Sequence, residues 1–177
     1  YRPEFQPKKS IARRLLADRR ACGGDSVCII AAQLSALTTY GGVEPWVQNL
    51  AVSEVSARAS YLARKEARET NRMPQRFGDC VKTKISTVTT RFGEPVTDLN
   101  TDEGTSVEYD NGGRVVSYGR DQGLFGAKVG QRVVMCLLTI PYDCPDGDDR
   151  GRLYYTLDID TKGEWILTDT QHMCGGA

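Results

Sequence analysis

Histidine and closely spaced cysteine pairs are the scarcest features of this sequence. Its 177 residues include one histidine, His172, and no two of its six cysteines have a Cys-x-x-Cys spacing. Structural zinc sites are usually built from such pairs together with histidines. A catalytic cysteine must be free and activated by a base, and no second histidine is present to serve as one. We therefore predict neither a metal nor a cofactor, and cysteine catalysis is disfavoured.

The sequence also lacks a net charge and a long apolar run. Its 23 Lys and Arg residues balance 23 Asp and Glu residues, which argues against nucleic-acid binding because that class shows a basic excess. No apolar run approaches the roughly 20 residues of a transmembrane helix, so we predict no membrane span. The chain starts at Tyr1 without a signal peptide, which we interpret as a mature, processed form.

Cysteine itself is not scarce, and its even count favours disulfides. Disulfides persist in oxidising compartments, so we predict an exported protein, periplasmic or secreted, while six buried thiols in a cytosolic protein are the alternative. Sequence alone leaves many connectivities open. The pairing that we predict is Cys22–Cys28, Cys80–Cys136 and Cys144–Cys174.

The most continuously apolar stretch is Val129–Cys144, VGQRVVMCLLTIPYDC. Its apolar part is short, rich in β-branched residues and bounded by Gly130 and Pro141, which is typical of a strand buried on both faces. A helix of the same apolarity would be truncated by Pro141. We place this strand at the centre of a β domain.

The first part of the chain has helical periodicity. Ser10 is interpreted as the N-cap of one helix and Asp25 as the N-cap of a second, with Gly23-Gly24 between them. This tight turn would bring the cysteines on either side of it close enough to bridge. A third helix is predicted to start at Pro45-Trp46, with an apolar stripe from Val47 to Arg68, and to be ended by Asn71 and Pro74. We place a domain boundary at Asn71–Gly78.

The stretch Leu16–Leu37, LADRRACGGDSVCIIAAQLSAL, resembles the cysteine motif of the LprI-type lysozyme-inhibitor family. That motif has an Arg-rich helix end, a cysteine, a short polar turn with Asp, a second cysteine and a helix. Gln33 and Ala36 depart from the Tyr and Arg that are usual in the family, and its upstream Trp is absent. The resemblance covers residues 11–40 and implies an envelope protein that inhibits lysozyme, although many proteins with the motif have no known role. The matching residues are Arg19, Cys22, Asp25, Cys28 and Leu37.

The second part of the chain is rich in Val, Thr, Tyr and Gly and has the spacing of strands. Asp110-Asn-Gly-Gly113 is the strongest hairpin signal, and residues 80–92 alternate as a strand although a helical period also fits them. About six strands predict a small antiparallel barrel or sandwich. The other predicted strands are 105–109, 114–118, 152–159 and 164–168, beside the central one.

We therefore predict an α+β protein in which an N-terminal helical hairpin or three-helix part precedes a small antiparallel β barrel or sandwich. The predicted divisions are a flexible lead-in at 1–10, an LprI-like helical part at 11–74 and a β domain at 75–177. We do not recognise a family in the β domain.

An acidic loop follows the central strand. Asp143, Asp146 and Asp148 are spaced nearly as in a calcium loop, but the distant bidentate Glu is missing. We interpret the segment as an ordered polar loop in which Arg150 pairs with the aspartates.

Two functions are compatible with these patterns. The first is a non-enzymatic binding protein of the cell envelope that inhibits a lysozyme or a related peptidoglycan hydrolase through a rigid loop, with no nucleic-acid partner. The alternative is a cell-wall glycan-binding module or an envelope enzyme, which would show an exposed aromatic strip or a cleft of carboxylates with perturbed pKa values. The binding residues predicted for the first function are Arg19, Arg20, Asp25, Asp148, Asp149, Arg150 and Arg152.

Overall fold

The computed structural model describes residues 8–41, 43, 45–65, 69–96 and 103–176. Most of the predicted lead-in, residues 1–7, lies outside the described residues. Three helices come first: α1 (Lys9–Cys22), α2 (Ser26–Thr39) and α3 (Pro45–Arg64). None of the described helices is both long enough and apolar enough to cross a membrane.

The helix ends agree with the sequence at two points and differ from it at two others. Asp25 caps α2 by accepting a hydrogen bond from the Cys28 amide at 3.0 Å, and Gly23 ends α1 with φ 61°, so both predictions are confirmed. The predicted cap at Ser10 is wrong, because the Lys8 carbonyl accepts the first amide bonds and Ser10 lies inside α1.

Helix α3 ends at Arg64, earlier than the predicted stop at Asn71 and Pro74. A bond from the Lys65 amide to the Leu62 carbonyl tightens its last turn, in the manner of a 3₁₀ helix end. The segment that follows, Lys65–Glu69, has no large apolar side chain to pack against the barrel. Its residues 66–68 lie outside the described residues.

Six antiparallel strands follow the helices and form a closed barrel. They are β1 (Cys80–Thr90), β2 (Thr105–Tyr109), β3 (Arg114–Val116), β4 (Arg132–Thr139), β5 (Leu153–Asp158) and β6 (Glu164–Thr168). Their order around the barrel is β1-β2-β3-β6-β5-β4, and residues Gln122–Leu124 between β3 and β4 form a 3₁₀ turn. The predicted α+β fold is therefore confirmed, and of the two predicted β architectures the barrel is the one observed.

Strand β4 is buried on both faces, as its sequence predicted. Because side chains alternate along a strand, Val133, Met135 and Leu137 point into the barrel core. The residues between them, Val134, Cys136 and Leu138, form the outer face and pack in a second core with α2 and α3. One strand thus contributes to both cores.

Small residues let α3 approach the barrel closely. Ala51, Val55 and Ala59 recur every four residues, which places them on one helix face, and each is at most 1% exposed. They pack in the same cluster as Tyr155 and Leu157 of β5. The helical and strand parts consequently share a core.

All six cysteines are paired, and the pairs are those that we predicted from the sequence. Cys22 bonds Cys28 across the α1–α2 turn. Cys80 and Cys136 are directly opposite each other on β1 and β4. Cys144 holds the C-terminal tail through Cys174. Three disulfides indicate an oxidising compartment outside the cytoplasm.

Candidate functional site

The segment Arg19–Asp25, here called the arginine turn, joins α1 to α2. The Cys22–Cys28 disulfide crosses it with the two Cα atoms 5.5 Å apart. Arg19 and Arg20 occupy the last helical turn of α1, where the helix dipole favours positive charge. The two arginines therefore lie at the end of α1, immediately before the loop that the disulfide closes.

Asp25 anchors this turn to α3. Besides capping α2, its carboxylate accepts two hydrogen bonds from Arg58, at 2.7 and 3.0 Å. Arg58 also donates to the Gly78 carbonyl at 3.0 Å. The bonds from Arg58 are the main cause that lowers the pKa of Asp25. Asp25 thus has a positioning role in the turn, with its carboxylate already occupied.

Gly78 shows how closely the segment before β1 approaches α2. Its φ is +71°, and an added Cβ would lie 2.9 Å from Val27 Cγ1 and 3.1 Å from the Cys28 amide nitrogen. Only glycine adopts this conformation readily and leaves room for that contact. The arginine turn therefore rests on both α3 and the entry to β1.

The Arg19 and Arg20 side chains are exposed, and within the described part of the chain neither forms an ion pair. The nearby acids are engaged elsewhere: Asp25 binds Arg58, and Asp18 accepts a hydrogen bond from the Tyr142 hydroxyl at 2.6 Å. Residues 8–41 contain six Lys or Arg and two Asp. This end of a neutral protein therefore carries a local positive charge.

The second predicted loop, Asp148–Arg152, is paired internally. Arg150 donates two bonds to Asp148, at 2.9 and 2.8 Å, which confirms the predicted pairing. Asp148 also accepts from the Gly175 amide, and these donors, Arg150 first, lower its pKa. Arg152 bonds Asp149 at 3.0 Å. The loop is thereby tied to the C-terminal tail beside the Cys144–Cys174 disulfide.

The structure does not bring the two predicted loops together. Asp25 lies at the N-terminal end of α2, whereas Ser35 and Thr39 in its C-terminal half accept bonds from the Ile140 and Tyr142 amides. The chain continues from Tyr142 to the loop Asp148–Arg152. A 14-residue helix is about 20 Å long at 1.5 Å per residue, so the loops lie toward opposite ends of α2.

Two further carboxylates with a shifted pKa, those of Asp160 and Asp169, have structural roles. Asp160 is bound by Arg132 at 2.8 Å, and this bond is the main cause that lowers its pKa. Burial raises the pKa of Asp169, which accepts from the Gly151 amide at 2.8 Å. No three His, Cys, Asp or Glu side chains of the described residues are grouped so that they could hold a metal ion.

Exposed aromatic rings that the sequence analysis did not single out lie at the far end of β1. Phe92 is 66% exposed and Tyr118 is 53% exposed, and the Arg91 guanidinium carbon lies 4.4 and 5.4 Å from their ring centres. Each ring follows the end of a strand. That position is the only signal in the sequence, and it does not reveal that the two rings meet.

Comparisons with protein-family models, with curated proteins and with solved structures found no match. The fold and the site therefore define the class of this protein. It is a disulfide-bonded α+β protein in which a disulfide-closed helical hairpin packs on a closed six-stranded barrel.

Proposed function

We propose that this chain is a non-enzymatic binding protein of the cell envelope, periplasmic or secreted, that inhibits a lysozyme or a related peptidoglycan hydrolase. The observation that carries the proposal is the exposure of Arg19 and Arg20 on the arginine turn, where neither forms an ion pair with a described residue. The resemblance of residues 11–40 to the LprI-type cysteine motif supports the same assignment.

The chemistry of the target matches this pair. Glycoside hydrolases of the lysozyme type use two carboxyl groups that flank the scissile bond. Guanidinium groups form charge-assisted, bidentate hydrogen bonds with carboxylates. Two neighbouring arginines can therefore occupy an acidic cleft and block access to it.

The rigidity of the turn favours binding. A loop that is already ordered loses little conformational entropy when it enters a cleft. Here the Cys22–Cys28 disulfide closes the turn and the Asp25–Arg58 pair fixes its angle to α3. Both restraints limit movement of the helix end that carries the arginines before the target arrives.

The test is an inhibition assay with several types of lysozyme on bacterial cell walls, at a molar excess of this protein. We expect stoichiometric inhibition of at least one type. The variant Arg19→Ala/Arg20→Ala should weaken it by at least about tenfold, equivalent to about 1.4 kcal/mol. The matched control is Arg64→Ala/Arg72→Ala, which removes the same charge from two exposed arginines elsewhere and should leave inhibition unchanged.

Two results would contradict the proposal. One is the absence of inhibition of every lysozyme type, and the other is equal loss of inhibition in the two double variants. Equal loss would show that net charge matters and that the arginine turn is not the contact.

A further inference from the structure

Arg91, Phe92 and Tyr118 form a second exposed cluster, here called the aromatic–arginine site. The guanidinium lies against both rings, within the distance of cation–π contact. Large exposed rings gathered in one place commonly mark a binding surface, in contrast to scattered single ones. Each ring here keeps more than half of its surface open to solvent.

The backbone beneath this site is held firmly. The Arg91 amide donates to the Gly104 carbonyl at 3.1 Å, and the Arg91 carbonyl accepts from Gln171 Nε2 at 2.8 Å. Gly104 has φ +79°, and a Cβ there would lie 2.3 Å from the Ser117 carbonyl oxygen and 3.1 Å from Arg91 Cδ. The strand ends that carry the three side chains are therefore tightly joined.

Among the described residues, the Arg91 guanidinium donates no hydrogen bond, and its buried Nε has no partner. Because Nε is buried, a ligand would bind the terminal nitrogens of this guanidinium. Buried polar groups of folded proteins are nearly always hydrogen-bonded, so such a group calls for an explanation. A carboxylate brought by a ligand is the strongest acceptor for a guanidinium.

We propose that the aromatic–arginine site binds a saccharide that carries a carboxylate. The apolar face of a sugar ring stacks on Phe92 and Tyr118, while the carboxylate accepts hydrogen bonds from Arg91. A few well-placed polar groups among aromatic side chains are the usual composition of a small-ligand site.

The surrounding charge favours one carboxylate over a chain of phosphates. Two exposed glutamates flank the site in the chain. Glu94 follows Arg91, and Glu103 directly precedes Gly104. These acids would repel a polyanion such as a nucleic acid, whose binding depends on neutralising several phosphates. A saccharide can pair a carboxylate with Arg91, while its hydroxyl groups can donate hydrogen bonds to the two glutamates.

This inference goes beyond the proposed function and does not depend on it. Gly78, just before β1, packs against the N-terminal end of α2, whereas Arg91 follows the other end of the strand. Eleven residues of β1 span roughly 35 Å at about 3.3 Å per residue. The arginine turn and the aromatic–arginine site are therefore separate surfaces.

The experiment is a titration of the full chain followed by nuclear magnetic resonance, with three disaccharide probes. The first is N-acetylglucosaminyl-N-acetylmuramic acid, whose carboxylate is on a lactyl group. The second is digalacturonic acid, whose carboxylates are on the rings, and the third is the neutral N,N′-diacetylchitobiose. We expect saturable shifts at residues 91, 92 and 118 with an acidic probe, and at least fivefold weaker binding of the neutral one. The preferred acidic probe identifies the source of the carboxylate.

Three variants test the assignment of the residues. Phe92→Ala should weaken binding of the acidic probe at least fivefold, and Arg91→Gln should remove the preference over the neutral probe. Trp46→Ala is the matched control, because Trp46 is an equally exposed aromatic residue on α3 and its loss should change nothing. Thermal unfolding of each variant verifies that it folds.

The absence of saturable binding by all three probes would overturn the proposal. Equal affinity for acidic and neutral probes would overturn the role of Arg91, as would an Arg91→Gln variant that keeps its preference. The Arg19→Ala/Arg20→Ala variant should bind the saccharide normally, so failure of one proposal is distinguishable from failure of the other.

Discussion

Asp25→Ala should lower stability although the residue lies in a turn at the surface. The change removes the N-cap of α2, which is worth about 1 kcal/mol. It also removes the ion pair with Arg58, which is formed by two hydrogen bonds. The side chain of Asp25 is 34% exposed and that of Arg58 is 30% exposed. Solvent screening limits such a pair to about 1 kcal/mol. The expected loss is therefore about 2 kcal/mol, or roughly 4–8 °C in Tm for a chain of this length.

The assay is urea unfolding at pH 7 followed by circular dichroism, with Asp146→Ala as control. Asp146 is an exposed aspartate with no partner among the described residues, so its loss should cost less than about 0.5 kcal/mol. A double-mutant cycle with Arg58→Ala isolates the coupling between the two residues.

Acid pH provides an independent check of the same pair. The pKa of Asp25 is lowered in the folded state, so its contribution is complete above the pKa of the unfolded chain, near 4. It is lost as the pH falls further, and the difference between the native protein and Asp25→Ala should shrink there. A cost below about 0.5 kcal/mol at pH 7, with a large loss of lysozyme inhibition, would refute the positioning role and make Asp25 a direct contact.

Three further predictions concern the barrel. Replacing Cys80 and Cys136 by serine should cost about 4 kcal/mol, because their disulfide closes a long loop of the unfolded chain. Gly104→Ala should cost at least about 2 kcal/mol, since its φ is positive and its Cβ would clash with backbone. Burial raises the pKa of Tyr109 from 10.0 to about 12; the protein should therefore lose stability as the pH rises through that interval, and Tyr109→Phe should reduce the loss.

Each of these three has a control measured by urea unfolding. Replacing Cys22 and Cys28 by serine should cost only about 2 kcal/mol, because that loop is short. A loss of stability larger than that for Cys80 and Cys136 would contradict the dependence on loop length. Gly119→Ala has open space and should be neutral within about 0.5 kcal/mol, so equal effects at both glycines would contradict the steric argument. Tyr61→Phe makes the same substitution at an exposed tyrosine and serves as the control for Tyr109→Phe.

Elements whose pattern is local could be predicted from the sequence. Thr105–Tyr109 and Glu164–Thr168 were predicted with the bounds that the structure shows, because each alternating run is delimited by turn residues. The Asp25 cap was predictable for the same reason, since its acceptor and its donor are three residues apart.

Features that depend on distant contacts could not be predicted. The pairing of β3 with β6, through Val116 and Thr168, closes the sheet into a barrel and distinguishes it from a sandwich. No local sequence pattern encodes this pairing. The partner of Asp25 is Arg58, far along the chain. The first helix starts at Lys9 and not after Ser10. Lys8, just before the helix, forms an ion pair with the distant Asp143.

The candidate site was predictable only in part. The arginines of the turn stood out because they adjoin a cysteine pair, but only the structure shows that no described acidic residue forms an ion pair with them. Arg91 and Tyr118 are contributed by the ends of different strands, so only the barrel reveals that they meet.

The double burial of β4 has a consequence for the order of oxidative folding. Its outer face completes the core of helices that are synthesised about a hundred residues earlier, as the contact between Ser35 and Ile140 illustrates. Contacts of such sequence separation form slowly, because loop closure must precede them. The N-terminal helices therefore remain partly uncovered until β4 is available to pack on them. The Cys22–Cys28 disulfide can form during that interval, whereas Cys80 has no native partner until Cys136 has been synthesised. We expect the protein to need a thiol-disulfide isomerase, or a chaperone that covers the helices, for that interval.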